Sequence, residues 1–249
     1  MKIAAMAIAM ALGTACVLGT SQTGAAEIKL IAGGPFKEPF LELLPAFERS
    51  HQHKVTVNWL GGPQVLERLK ANETTDAVIL TVSAADELTK LGKLRDPVNL
   101  VTSRVGVAVR AGAPHPEIGS AEALAKTLRA AKSVAHSSGT SGAAVVALFQ
   151  RLGVADDVKG KVKQIQGEPV GVVVARGEAE IGFQQMSELL PVKGIDVVGP
   201  LPSIVEPPIE LVIATHVVAK DITATKELVK FLTSADSIQV LKKYGLDSP

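Results

Sequence analysis

The chain has 249 residues, 26 Lys and Arg against 25 Asp and Glu, and a formal net charge of +1. Without a basic stripe, and with Trp59 and Tyr244 as its only Trp and Tyr, it lacks the charge and the stacking platforms that nucleic acid demands. Its one cysteine, Cys16, rules out a disulfide framework.

Lys2 is followed by a nearly unbroken apolar run over residues 3–18, then by small and polar residues to Ala26. A positive start, an apolar middle and a small-residue end predict an export signal over residues 1–26, cleaved after Ala26. The competing reading is a retained anchor. Against it, the run is at the short end of the roughly 18–20 residues that a span needs, and no basic stop-transfer cluster follows. Cys16 raises a lipid anchor, but Gly13 stands where lipidation wants a leucine-like residue. Cleavage removes the only cysteine and one positive charge. The mature chain is then near neutral, disulfide-free and expected in the periplasm, and its stability must come from its core.

In the mature chain, residues 27–32 predict a strand ended by Gly33-Gly34-Pro35. Phe40, Leu43, Leu44 and Phe47 fall at i, i+3, i+4 and i+7, which gives a helix one apolar face. Pro39 suits its first turn, and Pro45 is expected to kink it. Val55, Val57 and Trp59 alternate with Thr56 and Asn58, a period-two strand ended by Gly61-Gly62-Pro63. Residues 65–69 read as helix, 77–82 as a buried strand, 84–91 as a short helix and 104–110 as a strand. Ser120 caps a helix reaching residue 131. Residues 133–136 predict a strand, and Ser137-Ser138-Gly139-Thr140-Ser141-Gly142 lead into a helix over 143–152, stopped by Gly153. Strands at 162–165, 180–184, 195–198 and 209–218 and helices at 170–176, 224–232 and 235–244 complete the pattern.

Strands alternating with helices predict an α/β fold with sheets covered on both faces. Nine strands crowd one doubly wound sheet of this size, so two lobes are expected, each a mixed sheet flanked by helices, with a cleft between them. The expected partition is 27–103 plus 207–249 for the first lobe and 104–206 for the second.

Three turns each follow a strand and precede a helix. Ligands bind at the carboxyl ends of strands in such sheets. Helix starts there carry unpaired N–H groups and partial positive charge, and glycine lets the backbone approach a ligand. Gly33, Gly34, Pro35, Gly61 and Gly62, with Ser137, Ser138, Gly139, Thr140 and Ser141, are therefore candidates to hold a small anion without a lysine. The alternative is that they are ordinary turns. Gln184 and Gln185 end a strand and are placed to reach a cleft. His136, at a strand end, is a contact, a proton-transfer group or a structural histidine. Glu210 interrupts an apolar strand and is either buried and paired or on an edge.

His51 and His53 lie on a polar connection and are expected to be solvated. With no Cys or carboxylate at ligand spacing they make no metal site. The remaining carboxylates are expected on solvated helix faces. No G-x-S-x-G, H-E-x-x-H or G-x-x-x-x-G-K-[ST] motif is present, and no cofactor is expected.

Three stretches carry a family resemblance. They are residues 28–34 with Phe47-Glu48, residues 177–182, and residues 230–236 with Tyr244-Gly245-Leu246. Together they resemble the type II periplasmic solute-binding proteins, most closely the molybdate-binding branch. The resemblance implies a two-lobed periplasmic-binding-protein-like monomer that closes on one small anionic solute and delivers it to an ABC permease in the cytoplasmic membrane. It also implies serines at two positions that here hold Pro35 and Gly62 or Pro63, and a tyrosine where Glu210 or Leu211 stands. Those losses turn the expectation from molybdate to an organic, carboxylate-type anion. Aconitate isomerases resemble the same proteins, which makes an isomerase acting by an allylic proton shift the alternative, with His136 or Glu210 as its base.

Overall fold

The computed structural model describes residues 24–249. The export signal falls on residues 1–26, so all but its last three residues, Cys16 included, lie outside the described residues. In chain order come β1 (Glu27–Gly33), a 3₁₀ turn (Gly34–Phe36), α1 (Lys37–His51), β2 (Lys54–Leu60), α2 (Gly62–Lys70), β3 (Ala77–Thr81) and α3 (Val82–Lys90). β4 (Leu94–Ser103), β5 (Val105–Arg110), α4 (Ala121–Ala130), β6 (Val134–Ser137), α5 (Thr140–Arg151) and α6 (Ala155–Val158) follow. Then come β7 (Val162–Ile165), α7 (Val170–Ala175), β8 (Ile181–Gln185), α8 (Met186–Leu189) and β9 (Ile195–Pro200). The chain finishes with β10 (Ile209–His216), α9 (Ile222–Leu232), α10 (Ala235–Lys243) and β11 (Leu246–Asp247).

These strands form two mixed sheets. The first has the order β11-β4-β10-β3-β1-β2, and the second β7-β6-β8-β5-β9. β1 runs parallel to β2 and β3, and β10 runs antiparallel to β3 and β4. In the second sheet β6 is parallel to β7 and β8, while β5 is antiparallel to β8 and β9.

Period-two alternation lets each strand feed both faces of its sheet. Ile28, Leu30 and Ala32 of β1 pack with Phe40 and Phe47 of α1 and with Leu228, Leu232 and Leu241 of α9 and α10. Ile31 points the other way, onto Val65, Leu69 and Leu88 of α2 and α3. The second sheet does the same, with Val105, Val107 and Val109 facing Leu124, Leu128 and Leu148 on one side and Ala135 facing Val170 and Val174 on the other. Fully burying each Leu, Val or Phe contributes about 1.5–3 kcal/mol, which is how a disulfide-free chain holds two lobes.

The sequence pattern missed two strands, β4 and β11. In β4, Pro97 removes a ladder donor, Asp96 takes a left-handed φ of 51°, and the pairing with β10 shifts register twice. Alternation is lost, yet the strand persists because β10 and β11 flank it. α1 runs through Pro45. Pro45 and Leu41 are both exposed, so the carbonyl left without a helical donor faces solvent. α2 and α5 start earlier than expected, at Gly62 and Thr140. Glycine's low helix propensity hid both starts, and it places Thr140, Ser141 and Gly142 in a first helical turn rather than in a loop.

Candidate functional site

A cavity of about 590 Å³ lies between the lobes, within the usual size of a small-molecule site. Its wall collects the carboxyl ends of β1, β2, β3, β6, β7 and β8, from Gly33, Leu60 and Thr81 in one lobe to Ser137, Ile165 and Gln185 in the other. The helices that follow these strands aim their N-termini into it.

How those helices begin is informative. The 3₁₀ turn before α1, and α2 and α5, begin after Gly33, Gly61 and Gly139, and no N-cap side chain satisfies their first turns; at α2 the Gln64 side chain reaches back to accept from Gly61 N–H at 3.2 Å. α3 starts on Thr81, which accepts from Ala84 N–H at a long 3.4 Å. Of the helices that start away from the cavity, α4, α9 and α10 are capped by side chains, while the four-residue α6, which begins after Val154, is not. Ser120 accepts from Ala123 N–H at 3.1 Å, Asp221 from Ala224 N–H at 2.9 Å, and Ser234 from Ser237 N–H at 3.3 Å. An uncapped start leaves its N–H groups for a ligand and keeps its end of the helix dipole unneutralised.

Across the cleft the two lobes touch through glycines. Thr140 Oγ1 fills the space that a Cβ on Gly62 would occupy, and a Cβ on Gly34 would lie 2.8 Å from Glu188 Oε1. Both contacts join opposite lobes. On the second-lobe wall, Ser137 Oγ lies 3.0 Å from Ser141 Oγ and accepts from Gly139 N–H at 3.3 Å, which folds the loop against the first turn of α5.

Among the described residues the cavity lining holds no Lys, Arg or His and three carboxylates, Glu87, Glu168 and Glu188. Two of them have cationic partners. Glu87 pairs with Lys70 at 2.5 Å, and Glu168 takes a two-pronged contact from Arg176 at 2.8 and 2.9 Å that holds its carboxyl below the usual range. Glu188 has no cationic partner among the described residues. Burial pushes its carboxyl up to about 7, against hydrogen bonds from the Gln184 side chain and the Gln185 main chain that lower it. Val170 N–H donates to Gln184 Oε1 at 2.8 Å, which turns the Gln184 NH₂ toward Glu188. Gln185 also lines the cavity; it is 2% exposed and its Oε1 has no hydrogen-bond partner.

Residues 28–247 match the family model of the bacterial extracellular solute-binding proteins. The chain belongs to that family. It is 34% identical over 248 residues to the aconitate isomerase of a Pseudomonas species, covering 95% of each chain. It resembles the periplasmic molybdate-binding protein of Azotobacter vinelandii with a TM-score of 0.74 at 15% identity, over 89% of this chain and 99% of that one. The L-phospholactate-bound form of PEB3, a Campylobacter jejuni protein, gives a TM-score of 0.66 at 15% identity, over 89% of this chain and all of that one.

In this family member the structure brings together every turn residue and both glutamines singled out from sequence. Gly33, Gly34, Pro35, Gly61 and Gly62 line the first-lobe wall, and Ser137, Ser138, Gly139, Thr140, Ser141, Gln184 and Gln185 the second. His136 and Glu210 are not part of the lining. His136 is buried, with Nδ1 bonded to the Ser137 carbonyl at 2.8 Å. Glu210 is exposed and stands beside a shallow groove with Thr81 and Thr140.

Two expectations need correction. Glu188 was grouped with the solvated carboxylates, yet it faces the cavity. It rides on α8, four residues long, too short to show a helical period. The available signal was its place just past Gln184 and Gln185, where a strand ends and a new turn begins. His53 is not solvated. It is 1% exposed, and its ring accepts from Ala26 N–H at 3.1 Å while Nε2 meets Glu227 at 2.9 Å. That bridge fastens the start of β1 to α9. His51 stacks on Phe47 at 4.7 Å.

Proposed function

We propose that this protein captures a small organic carboxylate anion in the cleft between its lobes, as the periplasmic solute receptor of an ABC permease. The observation that carries the reading is the set of uncapped helix starts after Gly33, Gly61 and Gly139. They converge on one cavity whose lining, among the described residues, has no cationic side chain. Backbone N–H groups bind carboxylate oxygens as well as they bind inorganic oxyanions. The amides of Gln184 and Gln185 and the hydroxyls of Ser138 and Thr140 add contacts suited to an extended organic ligand. The phospholactate complex of PEB3, an organic anion in the same fold, supports this choice. The signal-like N-terminus and the family support export to the periplasm.

The test is a melting-temperature panel on the mature protein with molybdate, sulfate, and mono-, di- and tricarboxylates. A ligand that binds only the folded state at 100 times its Kd stabilises by about 2.7 kcal/mol. Di- or tricarboxylates are expected to raise Tm by several degrees and molybdate to leave it unchanged. No rise with any carboxylate would refute the reading.

A second reading is favoured by two observations, the full-length likeness to an aconitate isomerase and a cleft carboxyl poised near neutrality. In it the captured anion is an unsaturated polycarboxylate, and the closed cleft isomerises it by moving an allylic proton.

A further inference from the structure

We infer that Glu188 is the catalytic residue of an allylic proton shift in this cleft, its carboxyl group both removing and returning the proton. The inference deepens the isomerase reading and rests on capture of a small carboxylate anion in the cleft. Such a shift needs one group that accepts a proton at one carbon and releases it two carbons away, in a pocket closed to water.

The candidate groups separate by geometry. Glu87 and Glu168 line the cavity but are held by Lys70 and Arg176, and a carboxylate locked to a cation is a poor base. His136 is buried, bonded through Nδ1 to its own loop and absent from the cavity wall. Glu210 is exposed, in an open groove that adjoins the cavity through Thr81, Ser83 and Thr140, and does not line the cavity itself. Glu188 alone lines the cavity without a cationic partner among the described residues. It sits where the lobes meet, so close to Gly34 that a Cβ there would lie 2.8 Å from its Oε1. Its carboxyl thus lies beside the first-lobe turn while it is carried by the second lobe. Gln184, its amide fixed by Val170 N–H at 2.8 Å, orients the carboxyl by a side-chain hydrogen bond.

The step balances without a cofactor. A Glu188 carboxylate oxygen forms an O–H bond with the proton of the saturated carbon next to the double bond. The C–H electron pair becomes the new C=C, and the former π pair becomes a carbanion lone pair at the far carbon, delocalised into its carboxylate. Glu188 then returns the proton there, a new C–H bond forms, and the carboxylate is regenerated. The double bond has moved and its geometry can change, which interconverts cis and trans forms of an unsaturated tricarboxylate.

The experiment incubates the mature protein with trans-aconitate in D₂O. Proton NMR follows both the cis isomer and deuterium entering the CH₂ position, and Tm shifts follow binding. The wild type is expected to isomerise and to take up deuterium more slowly than it forms the cis isomer, because the carboxyl returns mostly the proton it removed. Glu188→Gln is expected to lose about 10²- to 10⁴-fold in both, the usual contribution of a positioned acid–base group, while keeping the trans-aconitate Tm shift, which also shows that it is folded. Glu188→Asp, a carboxyl set back by one carbon, is expected to retain turnover above the Gln variant. Wild-type rates in Glu188→Gln, or loss in His136→Gln with retention in Glu188→Gln, would overturn the inference. A wild type that binds trans-aconitate but neither exchanges nor isomerises it also overturns it and leaves the capture reading standing. A wild type that binds no carboxylate removes both.

Discussion

The cleft face and the outer face of this protein begin their helices differently. On the outer face Ser120, Asp221 and Ser234 each satisfy a first-turn N–H with a side-chain oxygen. On the cleft face Gly33, Gly61 and Gly139 satisfy none. A side-chain cap is worth about 0.5–2 kcal/mol to a helix, so the cleft gives up stability that the outer face keeps. The carboxyls differ in the same direction. Glu48, on the outside, is pulled below its ordinary range by its hydrogen bond to Lys54. Glu188, in the cleft, is pushed up by burial. Stability has been left unclaimed on the wall of the cleft.

The carboxyl contrast makes the largest prediction. Glu188 moves from 4.5 when unfolded to about 7 when folded. The folded state therefore prefers the protonated form, and the associated stability is complete below the unfolded value and drains away as pH rises to about 7. One unit corresponds to about 1.4 kcal/mol, so the loss is on the order of 3 kcal/mol. Without ligand, Glu188→Gln is expected to melt roughly 5–10 °C above wild type at pH 8 and level with it at pH 4. Parallel pH curves would show that the carboxyl is not raised. Glu48 has the opposite sign, its contribution being present above the unfolded value and fading as pH falls.

The next prediction exchanges the two kinds of helix start. Gly139 has an extended backbone, φ −86° and ψ −162°, which accepts a side chain. In Gly139→Asp a resident carboxylate takes the place proposed for the ligand's. The ligand-free protein is expected to gain some tenths of a kcal/mol, while calorimetry should show carboxylate affinity falling about tenfold or more, at least ~1.4 kcal/mol. The reciprocal change, Asp221→Ala, is expected to cost about 1 kcal/mol in denaturant unfolding and leave the ligand-induced Tm rise untouched. Smallest is Glu48→Gln. Its partner Lys54 is 74% exposed, and pairs of this kind contribute at most ~1 kcal/mol, so Tm is expected to move by no more than a few degrees.

Much of this was legible in the sequence, because the features concerned are local. Alternation in Ile28, Leu30 and Ala32, the apolar stripe through Phe40 and Phe47, and three glycine turns after strands lead to two mixed sheets and to a cleft wall of identifiable residues. What escaped is non-local. β4 is a strand because β10 and β11 hold it, although Asp96 and Pro97 interrupt its pattern. His53 reads as a polar linker residue, and it is buried only because Ala26 and Glu227 come together around it. Glu188 looks like any helix carboxylate. Its character comes from Gly34, 154 positions earlier in the chain, and from having no cationic partner among the described residues, neither of which a local pattern carries.

The most direct test of the central claim is an amide NMR titration of the mature protein with a tricarboxylate. N–H groups donating to an anion shift downfield. The first-turn amides of Gly34, Gly62, Thr140 and Ser141 are expected to shift and saturate together, while those of Ala123, Ala224 and Ser237, already bonded to side-chain caps, stay in place. Saturable binding with no movement of the cleft amides, or with equal movement on both faces, would contradict the account.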